Sequence, residues 1–198
     1  MAQRRFHYEQ AFEHYLRCNR VPYVAVDEAK KTLLPDGGRE SLPSIKSFDF
    51  VVYGPHGNLL IDVKGRMFGS GNTEASLTSN RRFESWVTRD DVEGLTQWQR
   101  LFGPDFTAVF VFAYCLRQQP PDALFDEVFA FNQRWYALRS VGLEEYRQHM
   151  VERSSSWKTV HVPREVFARI SEPFSVRAAA VGAASPGASP TPNRLAGR

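Results

Sequence analysis

Hydrophobic residues recur along this chain with two periods. Between Arg5 and Arg20 they fall at Tyr8, Ala11, Phe12, Tyr15 and Leu16, the spacing of one face of a helix. The polar turn RCNR and a strand from Val21 to Val26 follow. Phe48 to Tyr53 and Leu59 to Lys64 are two apolar, β-branched runs, and GPHGN between them carries turn residues, so Ser47 to Arg66 predicts a β-hairpin. Arg81 to Thr88 alternates enough for a third strand, with Phe83 or Trp86 facing the core. A helix is predicted from Val92 to Phe102, capped by Asp90 or Asp91, closed by Gly103-Pro104 and buried through Leu95, Trp98, Leu101 and Phe102. Phe106 to Leu116 is continuously apolar, the pattern of a strand covered on both faces. Strands around Val128 to Phe131 and Trp135 to Leu138 come next, then a helix from Leu143 to Val151 and a short strand from Trp157 to Val162. Pro163 opens a last helix, Arg164 to Ile170. This order predicts an α/β domain: a mixed β-sheet flanked by helices.

Two connecting stretches stand out. Asp27 to Lys46 contains the turn signal Pro35-Asp36-Gly37-Gly38 and is basic through Lys30, Lys31, Arg39 and Lys46. It reads either as a solvated loop or as a path for a nucleic-acid backbone. Gly65 to Asn72 is Gly-rich and reads as a mobile connection; it lacks the context and the Gly-Lys-Ser/Thr ending of a phosphate-binding loop.

Composition adds bounds. The chain has 198 residues, 42% of them hydrophobic, enough for one domain over residues 1–173. Residues 174–198 are rich in Ala, Ser, Gly and Pro without periodicity and are expected to be a disordered tail. No apolar run approaches the about 18 residues of a membrane span. MAQRRFHYEQ has no apolar signal segment, and Cys18 and Cys115 make neither a disulfide framework nor a zinc site, so a cytoplasmic setting is expected. The net charge is +3, but residues 174–198 hold three arginines and no acid, which leaves the remainder neutral. Residues 1–89 carry 13 Lys/Arg against 10 Asp/Glu, and residues 90–174 carry 9 against 12. The hairpin lies in the basic half.

Three polar side chains interrupt the hairpin: Asp49, Asp62 and Lys64. Alternation puts Asp62 and Lys64 on one face, with Ile61 and Val63 on the other. A GPHG loop sets Asp49 opposite Asp62; a tighter His-Gly turn sets it opposite Lys64. Either register gathers all three on one face. Two carboxylates there repel unless a cation joins them, and hard divalent cations take carboxylate oxygens as ligands. Other chemistries find no support: the five histidines have no metal-binding spacing, and there is no GxSxG. Read without a metal, Lys64 neutralises Asp62 in a structural ion pair and Asp49 caps a loop.

An Asp, a short spacer and Asp-Val-Lys on a hydrophobic strand resembles the PD-(D/E)XK nuclease superfamily, the fold of restriction endonucleases and archaeal Holliday-junction resolvases. The proline of the motif's name is replaced by Phe48. The first helix, Glu9-Gln10-Ala11-Phe12-Glu13-His14-Tyr15-Leu16, is loosely similar to the E-x-x-A-x-x-Y-L helix of resolvase-like members. The resemblance covers about residues 5–102 and implies a restriction-endonuclease-like core and a metal-dependent nuclease, acting on DNA rather than RNA. It implies Asp49 and Asp62 as ligands of Mg²⁺ or Mn²⁺, with the Val63 carbonyl as a further ligand. Lys64 would orient or help deprotonate the attacking water, and Glu9 would help position the metal or its water. Arg66 and Gln97 would grip the nucleic-acid backbone. For Glu9 the competing reading is a boundary carboxylate on an amphipathic helix; for Gln97 it is a surface glutamine. The family also includes members with degraded sites, so the alternative is a nuclease-like domain that binds nucleic acid or a protein partner without cutting. A homodimer is among the assemblies that the resemblance implies.

Overall fold

The computed structural model describes residues 6–26, 45–54, 57–68, 83–116 and 125–174. Its centre is a seven-stranded mixed sheet. Helix α1 (Phe6–Cys18) leads into β1 (Tyr23–Ala25), and β2 (Phe50–Gly54) pairs antiparallel with β1 on one side and with β3 (Gly57–Met67) on the other. Gly54 pairs with Gly57 and Phe50 with Ile61, the register that continues to Asp49 opposite Asp62. After β3 come β4 (Val87–Thr88), α2 (Arg89–Phe102) and β5 (Phe106–Leu116), which lies parallel to β3. Parallel neighbours need a crossover, and α2 supplies it. Then follow β6 (Phe129–Phe131), β7 (Arg134–Gly142), α3 (Leu143–His149), β8 (Val151–Ser154), β9 (Thr159–His161), α4 (Arg164–Ile170) and β10 (Glu172–Pro173). The sheet order is β1-β2-β3-β5-β7-β10, with β6 also on β7; β4, β9 and β8 form a separate antiparallel sheet.

Strand β5 explains the layering. Phe110, Phe112 and Tyr114 pack with Leu60, Val92, Leu95, Tyr146 and Phe167 on one face; Val109, Val111 and Ala113 pack with Phe12, Leu16, Ile61 and Val63 on the other. Both faces are covered, so the strand has no need of polar alternation. α1 therefore lies on one side of the sheet, and α2, α3 and α4 lie on the other.

Several sequence expectations change. Arg81 to Thr88 is not one strand: residues 83–86 are irregular, and Val87–Thr88 joins the small sheet instead. Gly65, Arg66 and Met67 belong to β3 rather than to a mobile connection, and Phe68 is buried; residues 69–72 lie outside the described residues. Of the basic loop, residues 27–44 also lie outside them. The predicted helix cap moves to Thr88, with Asp91 at the third helical position. Leu101 and Phe102 are exposed, because the buried stripe of α2 runs through Asp91, Val92, Gly94 and Leu95. β8 and β10 have no counterpart in the sequence reading. Phe174, placed there in the tail, is buried against the α1 side; residues 175–198 are not among those described.

Two glycines fix how the layers meet. A side chain on Gly65 would overlap the ring of Tyr8, so α1 can lie on β3 only because residue 65 has none. A Cβ on Gly94 would come within 2.7 Å of the Lys46 carbonyl, and the Trp98 indole donates to that same carbonyl at 2.9 Å. Segment 45–48 is thereby seated against α2. Gly65→Ala should lower stability by about 1–3 kcal/mol through overpacking. Urea unfolding would show a lower midpoint, partly restored when Tyr8→Ala is added. An unchanged midpoint in Gly65→Ala would refute the close-packing account.

Candidate active site

β2 ends its pairing with β3 at a definite point. Phe50 is its first strand residue, and Asp49 lies in a bend. The Asp49 N–H still donates to the Ile61 carbonyl at 2.9 Å. One step further the ladder gives way to a side chain: the Val63 N–H donates to Asp49 Oδ2 at 2.6 Å. A strand residue presents its N–H and C=O to the same neighbour, so Val63 turns its carbonyl to the same edge. Strand β3 continues to Met67, held by β5 alone among the long strands. The polar residues collect at this divergence.

Asp62 is buried, 5% exposed, and grips Lys64: the ammonium lies 2.8 Å from Oδ1 and 2.7 Å from Oδ2. Lys64 also contacts Asp91 Oδ1 at 3.0 Å. Asp91 closes the N-terminus of α2 in a capping box: Oδ2 accepts the Thr88 N–H at 2.7 Å, and Thr88 Oγ1 accepts the Asp91 N–H at 3.1 Å. Its other oxygen also pairs with the Lys46 ammonium. A helix cap, a strand lysine and a loop lysine thus form one network.

The protonation energetics reflect this crowding. Burial, and after it the like charge of Glu9, push Asp49 up to about 6; the Val63 N–H, Lys64 and Asp62 act against that rise. Burial also raises Asp62, with Asp49 and Asp91 adding to the effect and Lys64 opposing it. For Lys64, burial favours the neutral amine, but the Asp62, Asp91 and Asp49 charges outweigh it and hold the pKa above its ordinary value. Burial would raise Asp91 too, yet Lys64, Lys46 and the Thr88 N–H hold it down to about 2.

The structure brings Asp49, Asp62, Lys64 and the Val63 backbone together, with Glu9 on α1 within electrostatic reach of Asp49. It does not bring Arg66 and Gln97 to them. Arg66 is buried: its guanidinium donates to the Gly65 and Trp86 carbonyls and lies 3.9 Å from the Trp86 ring centre. Gln97 is exposed on α2. Its neighbour Gln99 accepts the Ala108 N–H at 2.8 Å. Sequence reading gave Asp91 a capping role only and placed Lys46 in a basic loop, either solvated or lining a nucleic-acid backbone. A signal for Asp91 was present: a helix that crosses over from β3 to a parallel strand begins near the C-terminal end of β3, where Lys64 stands.

The oxygen donors suit a hard divalent cation. Two carboxyls with raised pKa values share a poorly solvated edge, and a cation would relieve both. Among the described residues, no three His, Cys, Asp or Glu side chains converge as a ready-made metal centre; the edge offers two carboxylates and a main-chain carbonyl.

No family model matches the chain, and no curated protein sequence does. Among solved structures it is similar to Hjc, a Holliday junction resolvase of the archaeal hyperthermophile Archaeoglobus fulgidus. The two share 17% identity over 82% of this chain and 90% of that one, with a TM-score of 0.43. At that level nothing about the site is carried over from it. No helix among the described residues is long and apolar enough to cross a membrane.

Asp49 and Asp91 predict opposite pH responses. Asp49 is near 6 when folded against 3.8 ordinarily, so the folded state binds the extra proton between those values. Metal-free stability should therefore fall as pH rises from about 4 to about 6, and Asp49→Asn should remove that part of the slope. Asp91, near 2 instead of 3.8, contributes stability above its ordinary pKa that is lost as pH falls toward 2. That contribution is about 2 kcal/mol, and Asp91→Asn should abolish it. Urea unfolding with a chelator present, across this pH range, checks both; variants with the wild-type slope would refute the assignments.

Proposed function

We propose that this chain is a divalent-metal-dependent phosphodiesterase acting on nucleic acid, with its active site where β2 departs from β3. The observation that carries the reading is that buried Asp62 and half-buried Asp49 lie beside Lys64, at an edge where the Val63 N–H binds Asp49 Oδ2. A stability-driven site would not gather two carboxylates where burial raises both, since a buried charge without full compensation is costly.

In this reading Asp49, Asp62 and the Val63 carbonyl would hold Mg²⁺ or Mn²⁺, with Glu9, within electrostatic reach of Asp49, helping to position the ion or its water. When bound, the ion supplies Lewis-acid stabilisation of charge on the phosphoryl and leaving oxygens. Lys64, with its raised pKa, keeps its proton at neutral pH. Its part is to offer positive charge and hydrogen bonds to the phosphoryl oxygens, rather than to accept a proton from water. Asp91 and Lys46 hold Lys64 and its surroundings in place from the α2 side. Arg66, turned inward, serves the packing around Trp86 and is left out of the nucleic-acid contacts. DNA ahead of RNA is what the resemblance to the PD-(D/E)XK nucleases implies. A cytoplasmic setting, suggested by the free Cys18 and Cys115, and a homodimer, implied by the same resemblance, are parts of this proposal.

One observation favours the second reading, a domain that binds without cutting: all three Lys64 contacts are already made within the protein. Cleavage of plasmid, linear duplex, single-stranded DNA, a four-way junction and RNA in Mg²⁺ or Mn²⁺ separates the two. Asp62→Asn keeps the size of the side chain and should lower the rate at least about a hundredfold while leaving the circular-dichroism spectrum intact. A folded Asp62→Asn that cuts at the wild-type rate would refute the site.

A further inference from the structure

A second surface feature lies one short step from this site. β8 and β9 form a hairpin whose tip, residues 155–158, is tied down by several bonds. The Trp157 N–H donates to Ser154 Oγ at 3.3 Å, Ser154 and Ser156 hydroxyls lie 3.1 Å apart, and the Lys158 N–H donates to the Ser155 carbonyl at 3.2 Å. Lys158 itself adopts a left-handed backbone, φ 47°, which few non-glycine residues take. The result is that the Trp157 indole stands 80% exposed, while the chain's other three tryptophans are partly buried. Exposing so large an apolar ring on a fixed turn is unfavourable for a face that meets only water.

The charge around it is equally uneven. The half of the chain from residue 90 to 174 is acidic, yet residues 153–164 (RSSSWKTVHVPR) contain Arg153, Lys158 and Arg164 and no Asp or Glu. Glu152, just before this stretch, is paired with Arg89 at 3.0 Å. Two links fix the hairpin relative to the carboxylates. The Arg89 N–H, at the start of α2, donates to the Lys158 carbonyl at 2.8 Å, next to the Thr88–Asp91 cap that holds Lys64. Trp86 lies between Arg66 of β3 and Arg153 of β8, with guanidinium-to-ring distances of 3.9 and 5.2 Å.

We infer that the β8–β9 hairpin is a docking element for a nucleic-acid strand with unpaired bases. Trp157 stacks on an exposed base, and Lys158 and Arg153 meet the flanking phosphates. An indole bordered by cations is the combination that grips single strands, because every unpaired base offers a π-face. In a continuous duplex those faces are covered, so the hairpin favours single-stranded, gapped or branched substrate at the carboxylate edge. The inference rests on the nucleic-acid reading above and refines its substrate class.

The test measures binding without cleavage, on the full chain with a chelator present. Labelled poly(dT) and a duplex of equal length are titrated against wild type, Trp157→Ala, Trp157→Phe and Lys158→Ala, with fluorescence anisotropy as the readout. Trp157 is exposed, so its variants fold. Wild type should prefer the single strand. Trp157→Ala should weaken that binding on the order of tenfold with little effect on duplex, and Trp157→Phe should recover most of it. Lys158→Ala should flatten the salt dependence of single-strand binding by about 0.7 in logarithmic slope. Trp157→Ala that binds poly(dT) like wild type, or that weakens duplex equally, overturns the inference. So does binding to anionic phospholipid vesicles with none to poly(dT). Cleavage plays no part in this readout, so a failure of the catalytic reading leaves a preference for poly(dT) standing, and loss of that preference leaves the catalytic reading to its own assay.

Discussion

Everything in this fold answers to the burial of Asp62. A carboxylate that is 5% exposed in the middle of a seven-stranded sheet has lost most of its water. Without compensation that loss would cost several kcal/mol. Lys64 provides the first compensation, two residues along the same strand and on the same face. Lys64 in turn draws in Asp91, and Asp91 draws in Lys46 and the backbone of Thr88. The chain of partners leads from the central strand through a helix cap to the segment that precedes β2.

Close packing keeps those partners in place. Because Gly65 has no side chain, the Tyr8 ring can lie against β3, and α1 then carries Glu9 to within electrostatic reach of Asp49. Because Gly94 has none, segment 45–48 can lie against α2, and Lys46 reaches Asp91. Each glycine sits where one layer meets another. The site is therefore shared between both faces of the sheet: α1 and Glu9 approach from one, α2 and Asp91 from the other, and Asp49 stands at the edge between them.

Much of this was legible in the sequence, for physical reasons. The helical stripe of α1, the unbroken apolar run of β5 and the Pro-led α4 are strong local signals, and they matched closely. The hairpin and the alternation that pairs Asp62 with Lys64 were readable from period two alone; the register waited on the turn, and the Gly54–Gly57 pairing chose Asp49 opposite Asp62. What local pattern hides is long-range partnership. Val87–Thr88 looks like part of a longer strand until β9 is seen to claim it. Arg66 looks like a free cation beside the motif, but the Trp86 ring and two carbonyls turn it inward. Asp91 reads as an ordinary capping residue, because its contact with Lys64 spans the β3–α2 crossover. Leu101 and Phe102 fit a helical stripe yet lie exposed, since the buried face of α2 runs through Asp91, Val92, Gly94 and Leu95 instead.

The central claim is that the edge carrying Asp49 and Asp62 is built for a cation rather than for an internal ion pair. Calorimetric titration of Mn²⁺ and Mg²⁺ into metal-free wild type and Asp62→Asn tests it most directly. The account predicts saturable binding to the wild type that is lost in the variant. Absence of binding to either protein at millimolar metal would contradict it, and would leave Asp62 and Lys64 as a structural pair.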